Sequence, residues 1–171
     1  MCEGAHDNRF SRRHFGRLAL GAAGLAAIPL RAAAGNVTAL GLTCIDYRLV
    51  DDAVAFFDKL GLKNDYDEVS LAGAALAAVS PKFPSSNKAF WDHVNIAKTL
   101  HHVHKIIVLD HRDCGAYKVA FGNKFAADRD AETAQHKGVM LQVQALLKKR
   151  HPDLESEFHL MALDGSAERV V

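Results

Sequence analysis

Short apolar runs alternate along this chain with longer stretches in which apolar residues recur every three or four positions. The short runs are bounded by turn-forming residues and predict strands over residues 37–43, 66–71, 105–110 and 158–163. The longer stretches predict helices over residues 49–60, 88–104 and 131–150. Between them, residues 81–87 are rich in proline, serine and asparagine and predict a loop.

This order of elements predicts an α/β fold with a mostly parallel central sheet flanked by helices. Sheets of this kind place their functional sites at the carboxyl ends of the strands. The helix over residues 88–104 is expected to bury one apolar face in the core, with the following residues: Phe90, Trp91, Val94, Ala97 and Val103.

The first 34 residues have a different character. The segment SRRHF at residues 11–15 is followed by a weakly apolar stretch over residues 18–30 and then by three alanines. This order resembles a twin-arginine export signal, with an amphipathic N-terminal helix as the alternative. The resemblance implies a signal peptide over residues 1–34, a mature domain over residues 35–171, and passage through the twin-arginine translocation machinery. The expected location is therefore periplasmic, or otherwise extracytoplasmic, in a bacterium.

Composition and charge exclude several classes of protein. The 171 residues are 49% hydrophobic, which is enough for a buried core in one domain. The formal charge is +1, and five basic but only two acidic side chains lie in the first 34 residues, so the remainder carries −2. That balance leaves no excess of basic residues that would indicate binding to nucleic acid. Three cysteines are too few for a disulfide scaffold.

Two short motifs carry the candidate chemistry. Residues 44–48 read CIDYR and follow the first predicted strand, and residues 111–115 read HRDCG and follow the third. Because the carboxyl ends of parallel strands meet at one edge of a sheet, we expect Cys44, His111 and Cys114 to converge there. Two thiolates and one imidazole form a donor set that suits zinc, and three protein ligands leave a fourth position open, as in catalytic zinc sites.

Asp46 and Arg48 lie directly beyond Cys44 and are expected to form a bidentate ion pair. The Asp46 carboxylate would then orient a zinc-bound water, whose pKa zinc lowers to about 7. If Arg48 turned away, the same carboxylate could itself occupy the fourth position. The simpler alternatives are that Cys44 and Cys114 are buried core thiols, which could pair in an oxidising compartment, and that Asp46 and Arg48 form a structural ion pair.

The two motifs resemble those of the β-class carbonic anhydrases, which combine Cys-x-Asp-x-Arg with a later His-x-x-Cys-Gly. The resemblance extends from about residue 37 to the end of the chain. It implies zinc bound by Cys44, His111 and Cys114, Asp46 and Arg48 as the catalytic dyad, the family's α/β fold, and a homodimer or higher homo-oligomer. The implied reaction is the reversible hydration of carbon dioxide to bicarbonate through zinc-bound hydroxide.

Two positions and one short segment depart from the pattern of that family. Tyr47 stands where serine is usual, and Asp110 precedes the histidine where glycine is common. Residues 70–73 read SLAG where the family has Arg-Asn-Ala-Gly. Two other functions therefore stay open: hydrolysis of carbon disulfide or carbonyl sulfide on the same fold, and a non-catalytic zinc-binding dimer module in which Asp46 closes the metal site.

The remaining histidines are expected to have no metal chemistry. His101, His102 and His104 lie at the end of a predicted helix, where imidazole is tolerated near the negative helix terminus. Arg112 and Asp113 are expected to form turn hydrogen bonds or to face solvent. Four further histidines are expected to be surface or core residues: His93, His136, His151 and His159.

Overall fold

The computed structural model of the protein describes residues 35–126 and 128–171. The twin-arginine motif lies outside the described residues, so the export signal stays a prediction. The described part forms a five-stranded sheet with apolar clusters on both faces, which confirms the predicted α/β fold with a mostly parallel sheet.

The five strands are β1 (Ala39–Thr43), β2 (Tyr66–Ser70), β3 (Lys105–His111), β4 (Glu155–Met161) and β5 (Ala167–Arg169). Their order across the sheet is β2-β1-β3-β4-β5, and every described pair is parallel except β4 with β5. The register places Leu42 beside both Val69 and Val108, so β1, β2 and β3 end at the same edge of the sheet.

The first three strands confirm the predicted ones, whereas the end of the sheet differs from the prediction. β4 covers residues 155–161 rather than 158–163, because its polar first half pairs with β3 from Lys105 onward. The short strand β5 was not predicted, since its three residues are all exposed and show no apolar alternation.

The helices are α1 (Val50–Lys59), α2 (Ala75–Val79), α3 (Pro84–His101), α4 (Gly115–Phe121) and α5 (Arg129–Arg150). The prediction of a loop over residues 81–87 is wrong in its second half. Pro84 occupies the first turn of α3, where the absence of an N–H costs nothing and the fixed φ favours a helix. Helices α2 and α4 were missed because five and seven residues are too few for a periodic pattern. Within the described residues, no helix combines the length and apolar character needed to cross a membrane.

Alternation along the strands divides the core between the two faces of the sheet. Leu42 and Val108 belong to a large cluster that includes residues of α2, α3 and α5. Ala39 and Ile107 belong to a smaller cluster on the other face, with Phe57 of α1. The five residues expected in the core from the helix over 88–104 are all buried: Phe90, Trp91, Val94, Ala97 and Val103.

Candidate metal centre

Two cysteines approach each other at the carboxyl edge of the sheet. Cys44 follows the last residue of β1, and Cys114 immediately precedes α4. Their sulfur atoms lie 3.9 Å apart. Two thiolates that bind zinc tetrahedrally at about 2.3 Å lie roughly 3.8 Å apart, so the observed separation already matches that of a metal-ligand pair.

His111 is the last residue of β3 and is almost fully buried. Its Nδ1 lies 2.8 Å from the carbonyl oxygen of Arg112, which fixes Nδ1 as the donor. Its buried Nε2 has no hydrogen-bond partner. A neutral imidazole held in this way presents a free lone pair on Nε2, which is the arrangement of a metal-binding histidine.

The ligand atoms of Cys44, His111 and Cys114 all lie within 4.8 Å of one another. In the part of the chain that the structure describes, no other set of three histidine, cysteine or acidic side chains meets this criterion. Two sulfurs and one unpartnered ring nitrogen fit zinc by donor chemistry and by spacing, so this cluster could hold a metal ion. The structure thus brings together the three residues selected from the sequence, while their role as zinc ligands stays a prediction.

The two thiols differ in their pKa values. The hydrogen bond between the sulfurs lowers the pKa of Cys44, while it raises the pKa of Cys114. Without a metal ion, the protein therefore favours a thiolate at Cys44 and a protonated thiol at Cys114. A divalent cation would favour both, because metal binding requires deprotonated ligands and stabilises them in that form.

Asp46 and Arg48 form the bidentate pair expected from the sequence. Arg48 donates from Nε to Oδ1 of Asp46 at 2.9 Å and from Nη2 to Oδ2 at 2.8 Å. These hydrogen bonds from Arg48 lower the pKa of Asp46 to about 2, so the carboxylate is ionised at neutral pH. Oδ2 of Asp46 lies 3.7 Å from Nε2 of His111, which places the carboxylate directly beside the candidate ligands.

Arg48 is held from its other side as well. Its Nη1 donates to Oδ2 of Asp113 at 3.1 Å, and Asp113 also pairs with Lys118. Asp113 therefore differs from the prediction of turn hydrogen bonds or solvent exposure, because its half-buried side chain forms ion pairs with Arg48 and Lys118. Arg112 differs from the prediction of a surface or turn role, because it is buried and pairs with Glu132 at 3.0 Å.

A backbone N–H also contacts the candidate centre. Gly73, in the turn after β2, donates to the sulfur of Cys44 at 3.2 Å. Gly73 has φ +85°, and a Cβ at this position would lie 2.9 Å from Cβ of Ala116. Both the positive φ and the close approach require glycine. The role of this turn was not predicted, because a donor on the main chain carries no sequence motif.

Behind the cluster lies a buried polar group that the sequence analysis also missed. Oδ2 of Asp110 accepts hydrogen bonds from Tyr117 at 2.6 Å and from Nδ1 of His136 at 2.8 Å. His136 was expected to be a surface or core residue without chemistry, and it is a core residue at 0% exposure. The aspartate that precedes His111 was the only sequence feature that pointed to this group.

The candidate centre opens into a cleft of about 300 Å³. Asp46 and the two candidate cysteine ligands lie along its wall. The other lining residues are mainly apolar: Ile45, Ala72, Phe83, Gly115, Ala116 and Val119. Such a cleft can admit a small, neutral molecule without removing water from charged groups.

The histidines at the end of α3 form no comparable centre. His101 pairs with Asp67 of β2 at 2.7 Å, and His102 has a left-handed backbone that ends the helix.

Comparison with known sequences connects the chain to one family. A family model described as "Putative carbonic anhydrase" matches residues 34–151. An uncharacterized protein of Rickettsia conorii is 35% identical over 135 residues, which cover 79% of this chain and 73% of that protein. An uncharacterized protein of Rickettsia bellii is 36% identical over 135 residues, which cover 79% of this chain and 82% of that protein.

Comparison with solved structures shows the same fold at low sequence identity. A carbonic anhydrase from Streptococcus mutans aligns with a TM-score of 0.55 and 20% identity, covering 82% of this chain and 86% of that one. A tetrameric β-carbonic anhydrase from Sordaria macrospora aligns with a TM-score of 0.53 and 12% identity, covering 81% and 82%. A carbonic anhydrase from Glaciozyma antarctica aligns with a TM-score of 0.52 and 17% identity, covering 85% and 87%.

Proposed function

The chain belongs to the family described as "Putative carbonic anhydrase", and from this premise we propose that it is a zinc lyase that catalyses the reversible hydration of carbon dioxide to bicarbonate. The observation that supports this proposal most strongly is the convergence of Cys44, His111 and Cys114 beside an ionised Asp46. The overall reaction consumes carbon dioxide and water and yields bicarbonate and one proton.

The three converging side chains would hold the metal as two thiolates and one neutral imidazole. Zinc bound there would supply a water molecule whose pKa is lowered to about 7, and thus a nucleophile near neutral pH. The hydrogen bond from His111 to the carbonyl of Arg112 keeps Nε2 available, and the N–H of Gly73 supports the sulfur of Cys44. Such supporting contacts orient metal ligands and tune their basicity.

Asp46 and Arg48 would act together on the attacking water. Asp46 can only accept hydrogen bonds, because Arg48 keeps it ionised through two contacts. A carboxylate fixed in this way selects water molecules whose O–H points toward it, and so leaves an oxygen lone pair directed into the cleft. Arg48 would therefore contribute to the reaction by fixing the position of Asp46. Asp113 accepts a hydrogen bond from the other side of the Arg48 guanidinium.

A carbon dioxide hydration assay tests the proposal. Stopped-flow measurement with a pH indicator on the zinc-loaded chain, at about pH 8, is expected to show hydration well above the rate of the buffer. A rate equal to that of the buffer, with zinc bound stoichiometrically, would contradict the activity. Two functions would then remain: hydrolysis of carbon disulfide or carbonyl sulfide, and a non-catalytic zinc-binding module.

The apolar cleft favours a second candidate on the same site. Ile45, Ala72, Phe83 and Val119 line the approach to the two cysteines. Carbon disulfide and carbonyl sulfide are linear and less polar than bicarbonate, so an apolar entrance would suit them. Release of sulfide from either gas, without acceleration of carbon dioxide hydration, would assign the chain to this hydrolase activity.

We also propose that the chain forms a homodimer or a higher homo-oligomer. The segment that follows Cys44 exposes several apolar side chains, and contiguous exposed apolar surface is typical of interfaces. Their exposed fractions are 62% for Ile45, 86% for Tyr47, 56% for Val50 and 45% for Val54. Light scattering coupled to size exclusion measures the mass directly, and a monomer at micromolar concentration would contradict the proposal.

Export by the twin-arginine route is a further proposal, and it depends on the SRRHF motif, the weakly apolar stretch over residues 18–30 and the three alanines at residues 32–34. That route carries folded proteins, often with a cofactor already inserted, which agrees with a centre built from residues distant in sequence. A periplasmic enzyme would meet carbon dioxide or bicarbonate outside the cytoplasm.

A further inference from the structure

Asp110 is a buried carboxylate that takes no direct part in the proposed reaction. Its exposed fraction is 1%, and its side chain lies on the face of the sheet opposite to that of His111. A buried carboxylate is unfavourable unless several donors satisfy it. Asp110 has three such donors, from Ala75, Tyr117 and His136.

The first of these donors belongs to the turn beside the candidate metal centre. Oδ1 of Asp110 accepts the backbone N–H of Ala75 at 2.8 Å. The two residues before Ala75 both have positive φ, +85° at Gly73 and +39° at Ala74. For an alanine this conformation is strained, and it persists only where the surroundings hold the backbone in place. The Asp110 carboxylate supplies that restraint directly after the strained residue.

The same turn carries the donor to the Cys44 sulfur. The N–H of Gly73 lies 3.2 Å from that sulfur, while the Cα of Gly73 packs so closely on Ala116 that a Cβ would overlap. The turn is therefore confined on the side of α4 and anchored through Ala75. A shift of its backbone by a few tenths of an ångström would weaken the N–H contact with the sulfur.

Tyr117 and His136 orient the Asp110 carboxylate that holds the turn. Both donate to Oδ2 of Asp110, at 2.6 and 2.8 Å, and both are 0% exposed. Burial raises the pKa of Tyr117, so its hydroxyl keeps its proton and remains a donor. With Oδ2 held by two side chains, Oδ1 is left to the backbone of the turn.

We propose that Asp110 is a positioning residue for the metal centre. Its carboxylate, oriented by Tyr117 and His136, fixes the turn over residues 73–75 and so keeps the Gly73 N–H on the sulfur of Cys44. The consequence for zinc affinity rests on the proposed function, whereas the restraint on the turn does not.

The test compares Asp110→Ala with Asp110→Asn in the full chain. Alanine removes the acceptor for Ala75, whereas the asparagine oxygen can still accept that N–H. In Asp110→Ala, hydrogen exchange measured by NMR is expected to be at least about tenfold faster at Gly73 and Ala75, with Ile107 of β3 unchanged. Zinc affinity, measured by chelator competition, is expected to fall about 10- to 100-fold. Asp110→Asn is expected to restore both properties only in part, because its single oxygen can accept the Ala75 N–H while its NH2 group then faces the donors of Tyr117 and His136.

A second variant keeps the test decisive if Asp110→Ala does not fold. Tyr117→Phe keeps the shape of the side chain and removes one donor to Oδ2. It is expected to speed hydrogen exchange at Gly73 and Ala75 by about fivefold, which corresponds to the loss of one hydrogen bond. Exchange at Ile107 should again be unchanged. Equal acceleration at all three amides, or none at Gly73 and Ala75, would overturn the assignment.

The outcomes separate this inference from the proposed function. If the unmodified chain binds no zinc, the proposed function fails, and the exchange data alone decide the role of Asp110 in the turn. If zinc binds normally and neither exchange nor affinity responds to Asp110→Ala, the positioning role fails and the proposed function is unaffected.

Discussion

The sulfur atoms of Cys44 and Cys114 lie 3.9 Å apart although 70 positions separate the two residues in the sequence. The parallel strands β1 and β3 produce this approach, because they are neighbours in the sheet and end at the same edge. Two buried or half-buried thiols at this distance, with an unpartnered imidazole nitrogen close by, form a cluster that could hold a metal ion. Cys44 comes from the segment after β1, whereas His111 and Cys114 come from the end of β3 and the turn that follows it.

Removal of any one ligand is expected to abolish stoichiometric zinc binding. Cys44→Ala, His111→Ala and Cys114→Ala should each lower the zinc content, measured by atomic emission, from one ion per chain to less than about a tenth of that value. Each variant should also unfold at a lower temperature than the zinc-loaded parent, because metal binding contributes to folding. His93→Ala, which removes an exposed imidazole, is the control and should keep the metal. Full zinc content in any of the three ligand variants would remove that residue from the centre.

Asp46→Asn is expected to separate metal binding from catalysis. The amide cannot keep two hydrogen bonds from Arg48 and act as a purely accepting group, so kcat/KM for carbon dioxide should fall about 100-fold. Zinc content should stay at one ion per chain. Asp92→Asn, which changes an exposed carboxylate paired with Lys88, is the control and should leave both values unchanged. Undiminished turnover in Asp46→Asn would exclude Asp46 from the mechanism.

Two glycine substitutions should change stability in opposite directions. A Cβ at Gly41 would lie 2.6 Å from Cζ of Phe57 and 3.2 Å from Cδ2 of Tyr66, in the smaller core cluster. Gly41→Ala should therefore lower the free energy of unfolding by about 1–3 kcal/mol. Gly138 is exposed in α5, and a Cβ added there would have nothing within 4 Å. Gly138→Ala should therefore raise the free energy of unfolding by about 0.5–1 kcal/mol. Urea titration measures the free energy of unfolding of the parent and of both variants. A change of the same sign and size in the two variants would contradict the close packing around Gly41.

Stability at acid pH should depend on Glu157 of β4. Lys105 of β3 lowers the pKa of Glu157 through a hydrogen bond at 2.9 Å, with smaller contributions from His159 and Arg169. A carboxylate with a lowered pKa in the folded state stabilises the fold above its ordinary value of 4.5, and this contribution is lost as the pH falls through the lower folded value. The pair is partly exposed, so the contribution should be at most about 1 kcal/mol.

Lys105→Met tests this dependence. Unfolding free energies measured between about pH 7 and pH 3 should decline less steeply in the variant than in the parent, because the pKa of Glu157 returns toward its ordinary value. If the unfolding free energies of the two proteins fell equally with pH, the pair of Lys105 and Glu157 would not contribute to the pH dependence of stability.

The proposed export signal predicts a phenotype that leaves the enzyme unaffected. Replacement of Arg12 and Arg13 by lysine should retain the protein in the cytoplasm of a bacterial host, because the twin-arginine machinery recognises the arginine pair. Cell fractionation measures the distribution, and the purified variant should keep its zinc content. Normal export of the double variant would contradict the twin-arginine interpretation.

The sequence by itself determined the fold class and the residues of the candidate centre. Apolar runs at residues 37–43 and 105–110 predicted two strands, and the polar motifs that follow them were expected to emerge at one edge of a parallel sheet. That the two strands are direct neighbours is a result of the structure. Strand periodicity and ligand chemistry are local properties, so both can be recognised in the linear sequence.

Only the tertiary structure decided how that centre is supported. The Gly73 N–H on Cys44, and the contacts of Asp110 with Ala75 and His136, join segments that lie between 26 and 35 positions apart. The short helices α2 and α4, which carry parts of this support, lack a periodic pattern of their own. Hydrogen bonds to the main chain and packing against a turn depend on which surfaces meet after folding, and no single residue type specifies them in advance.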